Sequence, residues 1–448
     1  MRMFGTNGIR GIANEDMDPE LALQVGKAIG SVIGEGPVAI ATDPRTSSQM
    51  IKCAVCSGLM ATGIDIVDLG IIPTPALQYH VKTHTEVKGG VMITASHNPP
   101  QYNGIKCIAE DGTEFTKEQE SMVEDAYDTT IECAPWDGIG RMTSVDGAGE
   151  AYIDAVISHV DVDAIRGAGL KVVLDCSNGA ACETTPMMMR KLGVDATLLN
   201  CVMDGTFPGR ESEPIESNLT ELIDVTGRTD AVVGMAHDGD ADRCVFVSGS
   251  GRYLPGDLSL ALIAQHKVAA NGGGKVYAPV STSSTVKDVV ESSGGEFHYT
   301  AVGSPIVARA MMENGGIFGG EDNGGLIFPE HQYCRDGAMG MAAILEIIAK
   351  EGDLDVLISK MPKYHSLKLT VKCPEEKKGS VAERIAQVAE GDVDTTDGVR
   401  IDYDDGWVLV RASGTEPKFR IYSESSDEGL MKERSEHYRG LIERFVNE

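Results

Sequence analysis

Three times along the 448-residue chain, an apolar run ends in a polar loop and a second apolar run returns. The segments are GGVMITASHNPPQYNGIK, DAVVGMAHDGDADRCVFV and GGIFGGEDNGGLIFP. Each apolar run has the length of a buried strand, and helical patterns such as DPELALQVGKAIGSVI, with Asp18 as N-cap and Pro19 after it, lie between them. Strands that alternate with helices predict mostly parallel sheets with helices on both faces.

The alternation of strands and helices begins again at several points along the chain, and the chain is too long for one hydrophobic core. We predict an α/β protein with three similar mixed-sheet α/β domains over residues 1–148, 149–250 and 251–362. A smaller α+β domain is predicted over residues 363–448, because YHSLKLTVK and WVLVRASGTEPKFRIYSES alternate like strands. The tail from Gly429 has the pattern of an amphipathic helix.

The composition excludes several classes of partner. A formal net charge of −29 repels phosphate backbones and anionic lipid, so neither nucleic acid nor a membrane is expected. No apolar stretch has membrane-spanning length and no signal peptide is recognised, which predicts a cytoplasmic protein. The ten cysteines are expected to be reduced, and the CxxC of Cys53 and Cys56 lacks a second ligand pair for zinc. A homo-oligomer is compatible with the sequence.

The loop HDGDADR, residues 237–243, places three carboxylates within five residues. Such carboxylates repel one another unless a cation lies among them, and hard oxygen ligands suit Mg²⁺. An EF-hand would need glycine and glutamate where Arg243 and Gly249 stand, and helices where these flanks read as strands. A metal site is therefore favoured over a solvated acidic loop. Its predicted ligands are Asp238, Asp240 and Asp242.

A single serine, Ser96, ends the first of the three strands. It lacks the G-x-S-x-G context of a serine hydrolase, and the adjacent His97 is expected to point away from it and to be a poor base. A helix-capping serine and a metal-bound phosphoserine are the remaining interpretations. A phosphoryl-enzyme would split one transfer into two steps.

Five motifs together resemble the α-D-phosphohexomutase superfamily and cover almost the whole chain: FGTNGIRG, TASHNPPQYNGIK, DGDADR, GGEDNGG and RASGTEP. The resemblance implies four domains around a central cleft, each contributing one loop. It also implies an enzyme, a phosphosugar mutase, that transfers phosphate through a phosphoserine and a sugar 1,6-bisphosphate. A small-molecule sugar phosphate is then the substrate, and the bisphosphate is the activator.

The resemblance also implies roles for individual residues. Ser96 is the phosphorylated residue and, with the three aspartates, a ligand of one Mg²⁺ per chain. Arg243 and Arg10 lie beside the serine phosphate, and His97 shapes or hydrogen-bonds this region. Lys106 moves the proton of the sugar hydroxyl, with a pKa expected to be lowered by the neighbouring cations.

Two further loops are implied to bind the substrate. In GGEDNGG (the sugar loop, residues 319–325), Glu321 and Asn323 bind ring hydroxyls. Many members read Glu-x-Ser-Gly-His here, whereas this chain has Asn323 and Gly325, as in an archaeal-like branch. RASGTEP supplies a phosphate clamp, defined as Arg411, Ser413, Gly414, Thr415 and Arg420, in which the glycine lets backbone amides face an anion. By contrast, His331, Arg335 and the helix-capping Asp336 are expected to be structural.

The preferred sugar is the remaining question. The opening motif and the sugar loop favour phosphoglucosamine mutase activity, interconverting glucosamine 6-phosphate and glucosamine 1-phosphate for amino-sugar synthesis. A phosphomannomutase/phosphoglucomutase is the alternative, and a phosphopentomutase is a third. A metal-dependent sugar-phosphate phosphatase and a non-catalytic sugar-phosphate-binding protein belong to other classes. The second of these is disfavoured by the intact serine, lysine and aspartates.

Overall fold

The computed structural model describes residues 3–5, 8–414 and 416–448 of the chain. The strands are β1 Ile9–Ile12, β2 Val38–Thr42, β3 Ile66–Ile71, β4 Gly89–Ile93, β5 Tyr102–Ala109, β6 Met142–Ser144, β7 Lys171–Asp175, β8 Asp195–Leu199, β9 Val233–His237, β10 Cys244–Ser248, β11 Tyr253–Leu254, β12 Lys275–Pro279, β13 Glu296–Thr300, β14 Gly316–Gly320, β15 Leu326–Phe328, β16 Gln332–Arg335, β17 His365–Lys372, β18 Asp392–Asp394, β19 Val399–Tyr403, β20 Gly406–Ala412 and β21 Lys418–Ser425.

The helices alternate with these strands over most of the chain. They are α1 Pro19–Ile33, α2 Ser48–Ala61, α3 Thr74–Thr83, α4 Lys117–Tyr127, α5 Ala148–Ile157, α6 Val162–Ala168, α7 Thr184–Leu192, α8 Thr220–Arg228, α9 Gly256–Asn271, α10 Ser284–Ser292, α11 Ser304–Asn314, α12 Gly337–Glu351, α13 Leu354–Ser359, α14 Lys378–Val388 and α15 Glu428–Asn447. Short 3₁₀ turns cover Ala180–Cys182, Glu216–Asn218 and Glu375–Lys377.

The first sheet is mixed and has the strand order β1-β5-β4-β2-β3-β6. Strand β2 runs parallel to β3 and β4, while β5 runs antiparallel to both β4 and β1. Every residue of β2 and β4 is buried, as expected of central strands covered on both faces. The carboxyl end of β4 leads directly into Thr94 and Ser96.

The second sheet repeats this design with the order β11-β10-β9-β7-β8. Strand β7 pairs in parallel with β8 and β9, and β10 returns antiparallel to β9. His237 pairs with Cys244 at the end of the β9–β10 ladder. The residues between them, Asp238 to Arg243, therefore form a connection fixed at both ends by a buried strand.

The chain contains two compact units, residues 1–259 with 323–357, and residues 260–322 with 358–448. The first unit holds the first two sheets and the antiparallel pair β15–β16. In the second unit, β12 pairs in parallel with β13 and β14. That unit also holds an antiparallel sheet of order β17-β21-β20-β19-β18, and α14 and α15 pack on its apolar face. The predicted α/β class with a smaller α+β segment is confirmed.

Local sequence signals place several helix ends. The Asp18 carboxylate accepts a hydrogen bond from Leu21 N at 2.8 Å, which confirms this residue as the N-cap of α1. Asp336 caps α12 in the same way through Met339 N. The last helix begins at Glu428, one residue before the predicted start, because Asp427 caps it. Among the described residues, no helix is both long and apolar enough to cross a membrane.

The central strand β2 provides a test of the first core. Ile40 is fully buried, whereas 43% of Ile71, on β3, is exposed. We expect Ile40→Ala to cost about 2–5 kcal/mol, because it removes buried methyl groups and leaves a cavity. Its thermal unfolding midpoint, measured by calorimetry, should fall by roughly 2–8 °C. Ile71→Ala is the matched control; equal midpoints for the two variants would contradict the assigned burial.

Candidate active site

Ser96 lies in a backbone conformation that few residues adopt. Its φ is +51°, in the left-handed region, and its side chain is fully buried. The Ser96 N–H donates to Thr94 Oγ1 at 2.8 Å, and Thr94 Oγ1 in turn donates to Asp43 Oδ2 at 2.6 Å. The serine hydroxyl donates to Asp238 Oδ2 at 2.9 Å. The surroundings thus hold a strained serine with its oxygen directed at the metal loop (residues 237–243).

Arg45 stabilises the backbone around this serine through hydrogen bonds, and the sequence analysis did not assign it to the site. Its guanidinium is buried, and Nε donates to Asp43 Oδ2 at 2.9 Å. Its two terminal nitrogens donate to four backbone carbonyls. Three belong to Ser96, Asn98 and Pro99 in the connection from β4 to β5 (the serine loop, residues 94–101), and the fourth belongs to Tyr102, which begins β5. The segment DPRTSS could have indicated this role, because its charged residues Asp43 and Arg45 closely follow the fully buried strand β2.

The metal loop brings three carboxylates together, as the sequence predicted for this segment. The side chains of Asp238, Asp240 and Asp242 are buried, and their oxygens lie within 4.8 Å of one another. Ala241 takes a left-handed φ of +59°, which curls the loop. Gly239 packs against the serine loop so closely that a Cβ there would lie 2.5 Å from Ser96 O.

These carboxylates fit a divalent cation. Asp240 Oδ1 and Asp242 Oδ1 are buried and have no hydrogen-bond partner among the described residues. Burial, followed by the charges of Asp240 and Asp242, raises the pKa of Asp238 well above its usual value. A hard cation would satisfy the orphaned oxygens and favour the charged form of all three groups.

Lys106 lies on β5 and neutralises two of the three aspartates. Its ammonium nitrogen is 2.7 Å from Asp240 Oδ2 and 3.1 Å from Asp242 Oδ2, and the side chain is buried. Burial alone would lower the pKa of Lys106, but Asp240 and Asp242 outweigh it and raise the pKa above its usual value. The expectation of a lowered pKa is wrong for this arrangement, because these contacts are carboxylates rather than cations.

Two arginines lie on the serine side of the loop. Arg243 Nε is 3.8 Å from Asp238 Oδ2 and is a buried donor without a hydrogen-bond partner in the described part of the chain. Arg10, on β1, donates through Nη1 to Asn98 Oδ1 at 2.7 Å and to Ala95 O at 3.4 Å. Burial lowers the pKa of Arg10. Arg243 Nη1 also pairs with Glu213 Oε1 at 3.2 Å. A buried guanidinium nitrogen without a hydrogen bond, next to the carboxylate that accepts from Ser96 Oγ, fits an anion carried by that serine.

His97 does not point away from Ser96, so that expectation is wrong. Its Nδ1 lies 3.3 Å from Ser96 Oγ, and its Nε2 lies 3.3 Å from Glu213 Oε2. Burial, then Arg243 and Arg10, lowers the pKa of His97 to about 2. The imidazole is therefore neutral at physiological pH, and its contact with Glu213 is a hydrogen bond rather than an ion pair.

Arg335, expected to be structural, reaches the metal loop. Its Nη2 lies 2.6 Å from Asp242 Oδ2 in a buried contact. Gly325 makes room for it, because a Cβ at position 325 would lie 2.2 Å from Arg335 Cδ. Asn323 Oδ1 accepts from Gly325 N at 3.0 Å and so shapes the sugar loop itself. The space that Arg335 occupies thus gives a physical reason for the glycine at position 325.

The predicted phosphate clamp lies in the second unit. Arg411 on β20 and Arg420 on β21 are directly opposed in the antiparallel register, so both side chains lie on one face. Arg411 Nε donates to Asp397 Oδ1 at 2.8 Å, and Arg420 Nη2 donates to Glu416 Oε2 at 3.4 Å. Opposed like charges favour an anion between them.

The remaining predicted residues lie at the ends of strands. Ser413 is buried, its N–H donates to Lys418 O at 2.9 Å, and its carbonyl accepts from Lys378 Nζ at 2.6 Å. A Cβ at Gly414 would meet no atom within 4 Å. Glu321 is buried directly after β14. Thr415, and Thr6 and Asn7 of the FGTNGIRG motif, lie outside the described residues.

Four segments of the chain match domain models of the phosphoglucomutase/phosphomannomutase family. These are α/β/α domain I over residues 1–133, α/β/α domain II over 150–251, α/β/α domain III over 255–364 and the C-terminal domain over 369–438.

Similar proteins cover nearly the whole chain. A phosphoglucomutase/phosphomannomutase of Thermococcus kodakarensis is 44% identical over 99% of this chain and 98% of its own. A probable phosphoglucosamine mutase of Methanopyrus kandleri is 42% identical over 100% and 99%. The crystal structure of a phosphoglucomutase/phosphomannomutase family protein from Burkholderia thailandensis aligns with a TM-score of 0.89 at 27% identity, covering 98% and 97% of the two chains.

Removal of Lys106 tests its place among the carboxylates. Lys106→Met leaves Asp240 and Asp242 with one fewer counter-charge, so the metal-free variant should unfold at a lower temperature than the wild type. Added Mg²⁺ should raise its midpoint more than it raises that of the wild type, because a stabilising ligand replaces the lost ammonium. Differential scanning calorimetry with chelator and with Mg²⁺ measures both.

The matched control is Lys52→Met, which breaks the partly buried pair between Lys52 on α2 and Asp68 on β3. It should lower the midpoint without enlarging the response to Mg²⁺. A larger Mg²⁺ response in Lys52→Met than in Lys106→Met would refute the assignment.

Proposed function

This chain belongs to the phosphoglucomutase/phosphomannomutase family and is a phosphosugar mutase, and we propose that Ser96 carries the phosphoryl group that it transfers. The proposed reaction interconverts glucosamine 6-phosphate and glucosamine 1-phosphate through a 1,6-bisphosphate. Transfer from Ser96 to one sugar hydroxyl forms the bisphosphate, and transfer of its other phosphoryl group back to Ser96 releases the isomer.

The observation that carries the proposal is the position of the Ser96 hydroxyl. Its oxygen is 2.9 Å from a buried metal-loop carboxylate, and its backbone is held in a left-handed conformation. Arg243 Nε, 3.8 Å from the same carboxylate, is a buried donor with no hydrogen bond among the described residues. A fixed serine oxygen beside preorganised positive charge is what phosphoryl transfer requires, because its catalysis is mostly positioning and electrostatic stabilisation.

The metal loop supplies the other half of the site. Asp238, Asp240 and Asp242 would hold Mg²⁺, which when bound supplies positive charge that neutralises phosphoryl oxygens. Arg10, through its contacts with the serine loop, keeps that loop in place and adds to the positive field. His97 is proposed to act next to the phosphoryl carrier, since its Nδ1 lies 3.3 Å from Ser96 Oγ.

Lys106 is proposed to move the proton. A protonated Lys106, favoured by its two carboxylate contacts, suits the half-reaction in which a departing oxygen takes up a proton. The opposite half-reaction needs the neutral amine to accept the proton of the attacking hydroxyl. One lysine therefore serves both directions of a reversible transfer, as microscopic reversibility requires.

The second unit is proposed to bind the phosphate that is not being transferred. Arg411 and Arg420 present two guanidinium groups on one face of the sheet, and Ser413 and Gly414 follow β20. Thr415, the next residue of the sequence, is proposed to belong to the same clamp. A bound phosphate would compete with Asp397 and Glu416 for these two guanidinium groups. Glu321 and Asn323 are proposed to bind the sugar hydroxyls.

The choice of glucosamine phosphate rests on the sugar loop and on relatives. Probable phosphoglucosamine mutases from Methanopyrus kandleri and Thermococcus kodakarensis are 42% and 39% identical to this chain. A phosphoglucomutase/phosphomannomutase at 44% identity favours glucose and mannose phosphates as the second candidate.

Replacement of Ser96 tests the phosphoryl carrier. Ser96→Ala should reduce turnover to below ~0.1% of wild type, because no other group can carry the phosphoryl between hydroxyls. Ser31→Ala, in which the lost hydroxyl bonds only within α1, is the control and should retain activity. Phosphorus NMR of the sugar phosphates measures both. Turnover near wild type in Ser96→Ala would exclude a phosphoserine mechanism at this residue.

A substrate panel tests the sugar. We expect kcat/KM to be at least about tenfold higher for glucosamine 6-phosphate than for glucose, mannose or ribose phosphates, equivalent to ~1.4 kcal/mol in transition-state binding. The assay contains Mg²⁺ and a trace of the matching 1,6-bisphosphate. Equal or faster turnover of the glucose and mannose phosphates would favour the second candidate, and net release of inorganic phosphate would indicate a phosphatase.

A further inference from the structure

Three thiols meet at one end of the second sheet, outside the proposed active site. Cys176 directly follows β7, and Cys201 follows the neighbouring parallel strand β8 by two residues. The strands remain joined at this end, because Cys176 N donates to Leu199 O at 3.2 Å. Cys182 ends the 3₁₀ turn that follows Cys176. The Cys201 thiol lies 3.7 Å from Leu174 O and 3.1 Å from Leu199 O, so its sulfur lies against the end of β7, two residues from Cys176.

The thiols of this cluster differ in exposure and acidity. Cys201 is half-buried, whereas Cys176 and Cys182 are buried. The hydrogen bond from the Cys176 thiol lowers the pKa of Cys201, although burial acts in the opposite direction. Burial raises the pKa of Cys176 well above its usual value. Cys201 is therefore the better nucleophile and the more accessible sulfur, and Cys176 is a protonated thiol next to it.

We propose that Cys176 and Cys201 form a reversible disulfide when the protein meets hydrogen peroxide. The Cys201 thiolate attacks peroxide, a sulfur–oxygen bond forms, the oxygen–oxygen bond breaks, and hydroxide leaves to become water. The Cys176 sulfur then attacks the sulfenic sulfur of Cys201. The sulfur–sulfur bond forms as the sulfur–oxygen bond breaks, and the hydroxyl leaves as water with the Cys176 proton. Two thiols lose two electrons, and one peroxide gives two waters.

The backbone next to Cys176 connects this cluster to the metal loop. Ser177 and Asn178 both take left-handed φ values, +55° and +53°. Gly179 packs on the metal loop so closely that a Cβ would lie 2.4 Å from Gly239 O. Ala180 N donates to that same carbonyl at 2.9 Å. Since Gly239 in turn packs against Ser96 O, a bond that constrains Cys176 will disturb the support of the metal loop and slow the proposed mutase reaction.

Peptide mapping of the full chain tests the pairing independently of any activity. The protein is reduced, desalted, exposed to hydrogen peroxide, alkylated and digested with trypsin. Residues 172–190 carry Cys176 and Cys182, and residues 192–210 carry Cys201, so the proposed bond joins two peptides. We expect this crosslink to appear before any Cys53–Cys56 bridge, because residues three apart in a helix such as α2 have Cβ atoms about 5–6 Å apart, beyond the usual range of a disulfide. Dithiothreitol should remove it.

Two variants assign the partner. Cys182→Ser should form the crosslink at the wild-type rate, and Cys176→Ser should lose it. A bond within residues 172–190, which would be Cys176–Cys182, overturns the proposal. So does a crosslink that persists in Cys176→Ser and disappears in Cys182→Ser. Oxidation of Cys53 and Cys133 while the cluster stays reduced also overturns it.

The link to the metal loop, which rests on the proposed function, has its own measurement. Oxidised wild type should lose mutase turnover several-fold and regain it with dithiothreitol, whereas Cys201→Ser should keep its rate after peroxide. Full crosslinking with unchanged turnover overturns the link to the metal loop but leaves the disulfide standing. A chain that is inactive before oxidation but still crosslinks overturns the proposed function instead.

Discussion

Repulsion among three buried carboxylates is the constraint on which the first unit depends. Asp238, Asp240 and Asp242 lie in a water-excluded position with their oxygens within 4.8 Å of one another. Like charges at this distance cannot all stay ionised without nearby positive charge. Lys106 and Arg335 supply that charge through direct contacts, from a strand of the first sheet and from the end of β16. Segments that are distant in sequence therefore have to lie together for the negative charge of this loop to be compensated.

The same requirement explains the shape of the serine loop. A serine oxygen can face the carboxylates only if its backbone leaves β4 in a left-handed turn, which costs free energy. Arg45 offsets that cost by donating to the loop's carbonyls, and its own charge is balanced by Asp43. Gly239 permits the close approach of the two loops, since any side chain there would strike Ser96 O. Three separate residues therefore shape this region: Ser96 has the strained backbone, Arg45 donates the stabilising hydrogen bonds, and Gly239 leaves the space for the close approach.

The fold was largely readable from the sequence because its signals are local. Fully buried strands such as β2 appear as continuous apolar runs, and caps such as Asp18 are adjacent to the helices that they begin. The carboxylate cluster was readable for the same reason, since its three members lie within five residues. Arg45 and Arg335 were not assigned to the site, because their partners are distant in sequence and only the packing of β-strands brings them near. The protonation of Lys106 depends on those same long-range contacts.

The glycine at position 325 of the sugar loop is related to the charge balance around Asp242. Gly325 leaves the space that Arg335 occupies on its way to Asp242. A side chain at position 325 would force Arg335 away and leave Asp242 with less compensation in a buried setting. A residue larger than glycine at position 325 would therefore act on the carboxylates of the metal loop through Arg335. The sequence of this loop alone does not distinguish an effect on sugar binding from an effect on the carboxylates of the metal loop. Rates measured with several sugar phosphates distinguish the two.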